Sequence, residues 1–176
     1  ALIIGAGPVG LFAVFELGLL NLNCHVIDIL DKPGGQCAQL YPEKPIYDIP
    51  AYPMITGQDL TENLLAQVKP FSPVFHYEQL AIKVKKKKNG NWLVETDKGL
   101  IFDVKAVVIA AGGGSFEPKK PNIPDLDKYS KSISYSIDRV DRFKNKDVVI
   151  LGGGDSALDW TLQLYDIAKS LTLVHR

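Results

Sequence analysis

Cysteine is scarce: Cys24 and Cys37 are the only two among 176 residues, and they lie well apart in sequence. Two thiols make no disulfide framework, so a reducing compartment, the cytoplasm by default, suits the chain best. Charge of one sign is missing too. The 20 Lys and Arg balance 20 Asp and Glu, and no global field points to nucleic acid or to a membrane surface. Long apolar runs are absent; none approaches the roughly 20 residues that span a bilayer. The beginning lacks the basic stretch and small-residue cleavage site of a secretory signal. No residue is nominated as a metal ligand. What remains is an ordinary globular composition, 46% apolar and 23% charged. The chain opens almost directly into one strand and closes as another finishes, so the expectation is an incomplete view of a longer protein.

Apolar periodicity and turn residues organise the chain. A strand at Leu2–Ile4 leads through a glycine-rich turn into an apolar-rich helix from about Pro8 to Leu20, then into a strand at Cys24–Ile29. Residues Asp31 to Thr56, rich in Pro, Gly and Tyr, read as one long irregular segment, a length that is usually functional. Gly57–Val68 reads as a helix capped by Thr56. Gln79–Lys87, Trp92–Thr96 and Leu100–Phe102 then form an antiparallel meander, with Asn89-Gly90 supplying the first turn and Lys98-Gly99 the second. Lys105–Ala111 reads as a buried strand ending in Gly112-Gly113-Gly114. Residues 115 to 145 look like a connection. Lys146–Leu151, Asp155–Lys169 and Leu171–Val174 then repeat the strand–helix–strand layout of the first 30 residues.

Each of these two units carries a G-x-G-x-x-G/A turn between its strand and its helix: Gly5, Gly7 and Gly10 in the first, Gly152, Gly154 and Ala157 in the second. The first glycine permits the tight turn, the second lets backbone approach a pyrophosphate, and the third small residue lets helix and strand pack closely. Phosphates would then sit on free N–H groups at the positive end of the helix. One such match is weak evidence; two with correct flanks are strong.

The ends of the second strands separate the two ligands. Asp28, about 20 residues past the first turn, would accept hydrogen bonds from ribose hydroxyls and repel a 2′-phosphate; Asp31 is a second candidate for that contact. At the matching offset of the second turn stand His175 and Arg176. A guanidinium suits a phosphate in charge and fork geometry, so the second site points to NADPH. The expected architecture is an α/β, Rossmann-like three-layer fold with a small antiparallel β meander, followed by the start of a second Rossmann-like domain. Two such sites, joined by the meander, suggest a two-dinucleotide flavoprotein.

The run from Gly34-Gly35-Gln36-Cys37 through Tyr41-Pro42-Glu43-Lys44 to Pro50, together with Ala110–Phe116 and Leu151–Trp160, resembles the thioredoxin-reductase-like class of ferredoxin–NADP reductases across essentially the whole chain. The resemblance implies an FAD-binding domain over residues 1–114 and the start of an NADPH-binding domain over 115–176. It implies that Asp28 holds the FAD ribose, that Gln36 contacts the flavin end, and that the Tyr41 ring stacks on the isoalloxazine. Ala81, acting largely through its backbone, and Phe116 would also line the FAD site. Ferredoxin or flavodoxin would take the electrons, and a homodimer is expected. Thioredoxin reductase, the nearest rival, carries a C-x-x-C pair where this chain has Ser134-Tyr135-Ser136-Ile137-Asp138-Arg139, so dithiol exchange is disfavoured. A flavin-binding redox sensor without turnover stays open. The lysine run Lys83 and Lys85–Lys88 reads either as a solvated hairpin flank or as an electrostatic footprint for an acidic carrier.

Overall fold

The computed structural model describes residues 1–114, 120–137 and 139–175. The chain divides into two units, Ala1–Pro121 and Asn122–Arg176.

In the first unit β1 (Leu2–Ile4), α1 (Pro8–Leu19) and β2 (His25–Ile27) form the expected strand–helix–strand. The segment between β2 and the next long helix is not irregular throughout. It folds into the short helix α2 (Gly35–Leu40) and a two-stranded hairpin, β3 (Pro45–Ile46) against β4 (Ile55–Thr56). α3 (Gly57–Val68) follows, and the Thr56 hydroxyl accepts from the Asp59 amide as its cap. A three-residue strand, β5 (Val74–His76), then pairs in parallel with β2. The meander β6 (Ala81–Lys86), β7 (Trp92–Thr96) and β8 (Ile101–Val104) comes next, and β9 (Val107–Ile109) completes the unit.

The parallel sheet runs β5-β2-β1-β9. Successive strand residues point to opposite faces, and the chain uses both. Ile3 and Val26 pack with Val14, Cys24 and Val68 beneath the helices, whereas Leu2 and Ile27 pack with Val94 beneath the meander. Helices, parallel sheet and meander are thus three layers, as expected for this Rossmann-like fold. β9 is shorter than the reading Lys105–Ala111 and is not buried. It is an edge strand, with Val107 and Val108 half-buried and Ile109 71% exposed.

The meander runs β6-β7-β8, which makes β6 an edge. Its lysines are partly neutralised across the sheet: Lys83 pairs with Glu95 at 2.7 Å, Lys87 with Asp103 at 2.5 Å, and the Lys86 ammonium lies 5.6 Å from the Trp92 ring centroid. Two imidazoles meet between the parallel sheet and the meander. His25 Nδ1 and His76 Nε2 are 2.9 Å apart, one donating and the other accepting, with the Phe102 ring against both.

In the second unit β10 (Asp147–Leu151) pairs in parallel with β11 (Ser170–Val174), and α4 (Asp155–Leu164) crosses between them. α4 stops five residues before the expected Lys169. The amides of Ile167 and Ala168 turn back to the Leu164 carbonyl, and Lys169 is already bonded to the Lys146 carbonyl at the start of β10. Sheet pairing has claimed backbone that helix propensity would have used.

Candidate functional site

The first glycine turn is built by close backbone approach. Gly5 follows β1 at φ +109°, where a side chain would be strained, and a Cβ there would run into the Ala110 carbonyl at the end of β9. A Cβ on Gly10 would overlap the Gly5 carbonyl oxygen, so α1 lies against β1 only because residue 10 has no side chain. Gly7 caps α1 in extended conformation. Its Cα meets Gly35 across the turn: a Cβ built on Gly35 stands 3.0 Å from the Gly7 Cα. The Gly34 amide donates to the Ala6 carbonyl at 2.8 Å. The double glycine opening α2 is therefore the outer wall of the turn. Pro8 has no N–H, and the Val9 and Gly10 amides in the first helical turn lack intrahelical acceptors, which leaves them as donors for a ligand.

Asp28 sits at the carboxyl end of β2, 9% exposed. Its Oδ2 accepts from the Ala6 amide at 2.6 Å and its Oδ1 from the Leu30 amide at 2.8 Å. The carboxylate is a strut joining the glycine turn to the end of β2. A carboxylate offers about four acceptor positions, so capacity remains for further donors. Asp31 lies exposed just beyond. Sequence reasoning missed Tyr77: burial pushes its phenol up and the Asp28 charge adds to the rise, which places the ring within electrostatic reach of that carboxylate. Its only sequence signal is an aromatic directly after a strand.

Gln36 is exposed on α2, with its amide 3.2 Å from where a Gly113 Cβ would stand. This brings α2 to the loop after β9. The glycine turn, Asp28, Gln36 and Gly113 thus gather where the parallel strands end, the usual place for a ligand in such sheets. Tyr41 follows α2 half-buried, with the Lys44 ammonium 5.9 Å from its ring centroid. Ala81 opens β6 and packs under the sheet with Leu2, Ile27 and Val94, two residues after Gln79 donates to the Asp28 carbonyl. Phe116 lies outside the described residues.

The thiols do not form a pair for redox exchange by sequence spacing. Cys24 is buried beside β2 and bonded to the Leu22 carbonyl, and Cys37 is on α2. Burial raises both thiols above their ordinary values.

The second turn repeats the pattern. Gly152, at φ +149°, donates to the Val174 carbonyl at 3.0 Å, and the buried Ala157 has its Cβ 3.3 Å from where a Gly152 Cβ would stand. Gly154 caps α4 with open space around its Cα. The His175 imidazole lies directly on Gly153, where any Cβ would overlap it. His175 thus forms one wall of this turn. Asp155 opens α4, placing a carboxylate at the positive end of the helix before any ligand arrives. Arg176 lies outside the described residues. Among the described residues no cluster of three or more His, Cys, Asp or Glu could hold a metal ion, and no helix is long and apolar enough to cross a membrane.

Residues 73–176 match the family pyridine nucleotide-disulphide oxidoreductase, and residues 3–67 match the NAD(P)-binding Rossmann-like domain. A ferredoxin–NADP reductase of Bradyrhizobium sp. is 61% identical over 176 residues, covering 99% of this chain and 52% of that protein. A ferredoxin–NADP reductase of Parvibaculum lavamentivorans is 60% identical over 175 residues, covering 99% and 51%. The chain spans about half the length of the curated relatives it matches. Among solved structures, the thioredoxin reductase of Lactococcus lactis superposes with a TM-score of 0.79 at 24% identity, over 99% of this chain and 55% of that one. At that identity the likeness concerns the fold alone.

Proposed function

The chain belongs to the pyridine nucleotide-disulphide oxidoreductase family, and from that premise we propose that it serves a cytoplasmic FAD-dependent ferredoxin–NADP reductase. The observation that carries the reading is the first glycine turn with its carboxylate strut. Backbone donors open α1 at the glycine turn, and Asp28, tied to that turn through the Ala6 amide, keeps acceptor capacity for a pair of ribose hydroxyls. A dinucleotide with an unphosphorylated adenosine ribose fits that donor and acceptor set; a 2′-phosphate would meet the Asp28 charge.

In this reading Gly5, Gly7 and Gly10 admit the FAD pyrophosphate and Asp28 takes the ribose. Gln36 and Tyr41 orient the flavin end, and Ala81 and Phe116 line the remainder. Bound flavin supplies the chemistry, accepting hydride from NADPH and passing electrons on singly, while the protein contributes orientation and electrostatics. The second turn, Gly152, Gly154 and Ala157, receives the NADPH pyrophosphate, with His175 shaping the turn and Arg176 reading the 2′-phosphate. No side chain is assigned as acid, base or nucleophile. Ferredoxin or flavodoxin is the proposed acceptor, and a homodimer the proposed assembly.

The test is NADPH-dependent cytochrome c reduction with and without ferredoxin, alongside identification of the released cofactor by mass. FAD release and ferredoxin-dependent turnover are expected. A cofactor other than FAD, or turnover indifferent to ferredoxin, refutes the proposal. Arg176→Ala should raise KM for NADPH far more than for NADH; equal effects would remove Arg176 from the site.

A further inference from the structure

The parallel sheet runs β5-β2-β1-β9, so three neighbouring strands end side by side. β1 leads into the glycine turn, β2 into Asp28, whose carboxylate is bonded to that turn at Ala6, and β5 into Tyr77. β5 runs in register with β2, Val26 opposite Phe75 and Ile27 opposite His76. Side chains alternate between the two faces of a strand. Val26 and Phe75 pack on the helix side, so Asp28 and Tyr77, each two residues further on, emerge on that same side. Ile27 and His76 take the other face, toward the meander.

Backbone bonds pin Tyr77 to the end of β2. The Asp28 amide donates to the His76 carbonyl at 3.1 Å, the Glu78 amide to the Leu30 carbonyl at 3.0 Å, and the Gln79 amide to the Asp28 carbonyl at 2.8 Å. Glu78, at φ +53°, turns the chain back for the last of these. The Tyr77 ring is half-buried and stacks on Phe75, with centroids 5.6 Å apart and planes 12° apart. Phe75 therefore braces it from behind. A held aromatic ring thus stands one strand spacing, about 4.8 Å, beyond Asp28. Burial, then the Asp28 charge, keeps its phenol above the ordinary value, in keeping with that placement.

The base and the 5′-phosphate of a nucleotide leave the ribose at opposite ends. With phosphate on the turn after β1 and ribose on Asp28 after β2, the base extends toward the end of β5. We propose, resting on the reading of the first glycine turn as the FAD site, that Tyr77 carries the adenine: its ring stacks on the base and holds the adenosine end of the dinucleotide. A purine offers more surface to such a stack than a pyrimidine does, so this end of the site distinguishes bases as well as sugars.

The experiment uses the full-length protein freed of flavin, titrated calorimetrically with ADP and with UDP. The two probes share ribose and pyrophosphate and differ only in the base. The parent should bind ADP more tightly than UDP. Tyr77→Leu, which keeps an apolar side chain against Phe75, should weaken ADP about five- to tenfold and UDP less, so that the preference collapses. FAD should weaken by a similar factor while the bound flavin keeps its visible spectrum and reduction potential. Tyr77→Phe, which keeps the ring, should retain the parental ratio. A ring that only packs on Phe75 would weaken both probes alike in Tyr77→Leu and leave their ratio unchanged; that result overturns the inference. So does a parent that binds ADP and UDP equally, or a Tyr77→Phe variant that behaves like Tyr77→Leu. A parent that binds neither nucleotide and takes up no FAD overturns the FAD reading of the turn, and this inference with it.

Discussion

Replacing Asp28 by asparagine preserves size and removes one acceptor. In the parent each carboxylate oxygen takes a separate backbone donor, Ala6 N at 2.6 Å and Leu30 N at 2.8 Å, and the side chain is nearly inaccessible to water. An amide can accept from one of these donors; its NH2 must face the other. A buried donor without an acceptor costs about 1–3 kcal/mol, and the surviving bond loses its charge assistance. Together these give about 2–3 kcal/mol. With a urea slope of about 1–3 kcal/mol per molar, the unfolding midpoint should fall by about 0.7–3 M. The assay is urea unfolding of the cofactor-free protein, followed separately by FAD titration. Both should weaken, because the released Ala6 amide loosens the glycine turn. An unchanged midpoint in the cofactor-free state would refute the strut, and any loss of FAD affinity would then come from the ribose contact alone.

Gly10→Ala places a methyl group on the Gly5 carbonyl and 3.4 Å from Ile3 Cγ2; since backbone cannot swing aside, a loss of about 2–3 kcal/mol is expected in thermal or urea unfolding, and full stability would contradict the close approach of α1 to β1. Thr56→Ala removes the cap of α3 and should cost about 1 kcal/mol, while Thr56→Ser should recover most of it. Burial, then the nearby His25, lowers His76 below the ordinary histidine value. The unfolded chain therefore binds a proton more readily than the native one. Stability should be retained above about pH 6.5 and lost as pH falls toward the lowered native value. Unfolding midpoints between pH 8 and pH 5 check this, and a pH response unaltered by His76→Gln would refute it.

The parts of the fold that announce themselves in sequence are those whose geometry is local. The two glycine turns sit between periodic segments, Thr56 precedes a helix with an acidic residue three positions on, and Trp92–Thr96 alternates between turn signals. β5 is hidden because three residues after Pro73 carry no period of their own; they become a strand only by pairing with β2. α2 is hidden for a different reason. Gly34 and Gly35 are poor helix residues and Pro42 closes the segment, so propensity argues for a loop. Its amino end is set by the contact of Gly34 and Gly35 with the turn at Ala6 and Gly7. The glycines and Asp28 could be named from spacing. The close approach of Gly57 to the Tyr41 carbonyl could not, since it depends on how α2 ends. Nor could the reach of Tyr77 to Asp28, which depends on β5.

The exposed edge of the meander has a consequence for life in a crowded solution. An open strand is a template onto which a second molecule's strand can zip, and Ile82, 60% exposed on β6, would favour such adhesion. Lys83, Lys85 and Lys86 stand along that same border. Two copies approaching rim to rim would bring ammonium against ammonium before any backbone bond could form. Thinning that fringe of cations should leave the single molecule's architecture intact, yet make the protein prone to fibrous self-assembly.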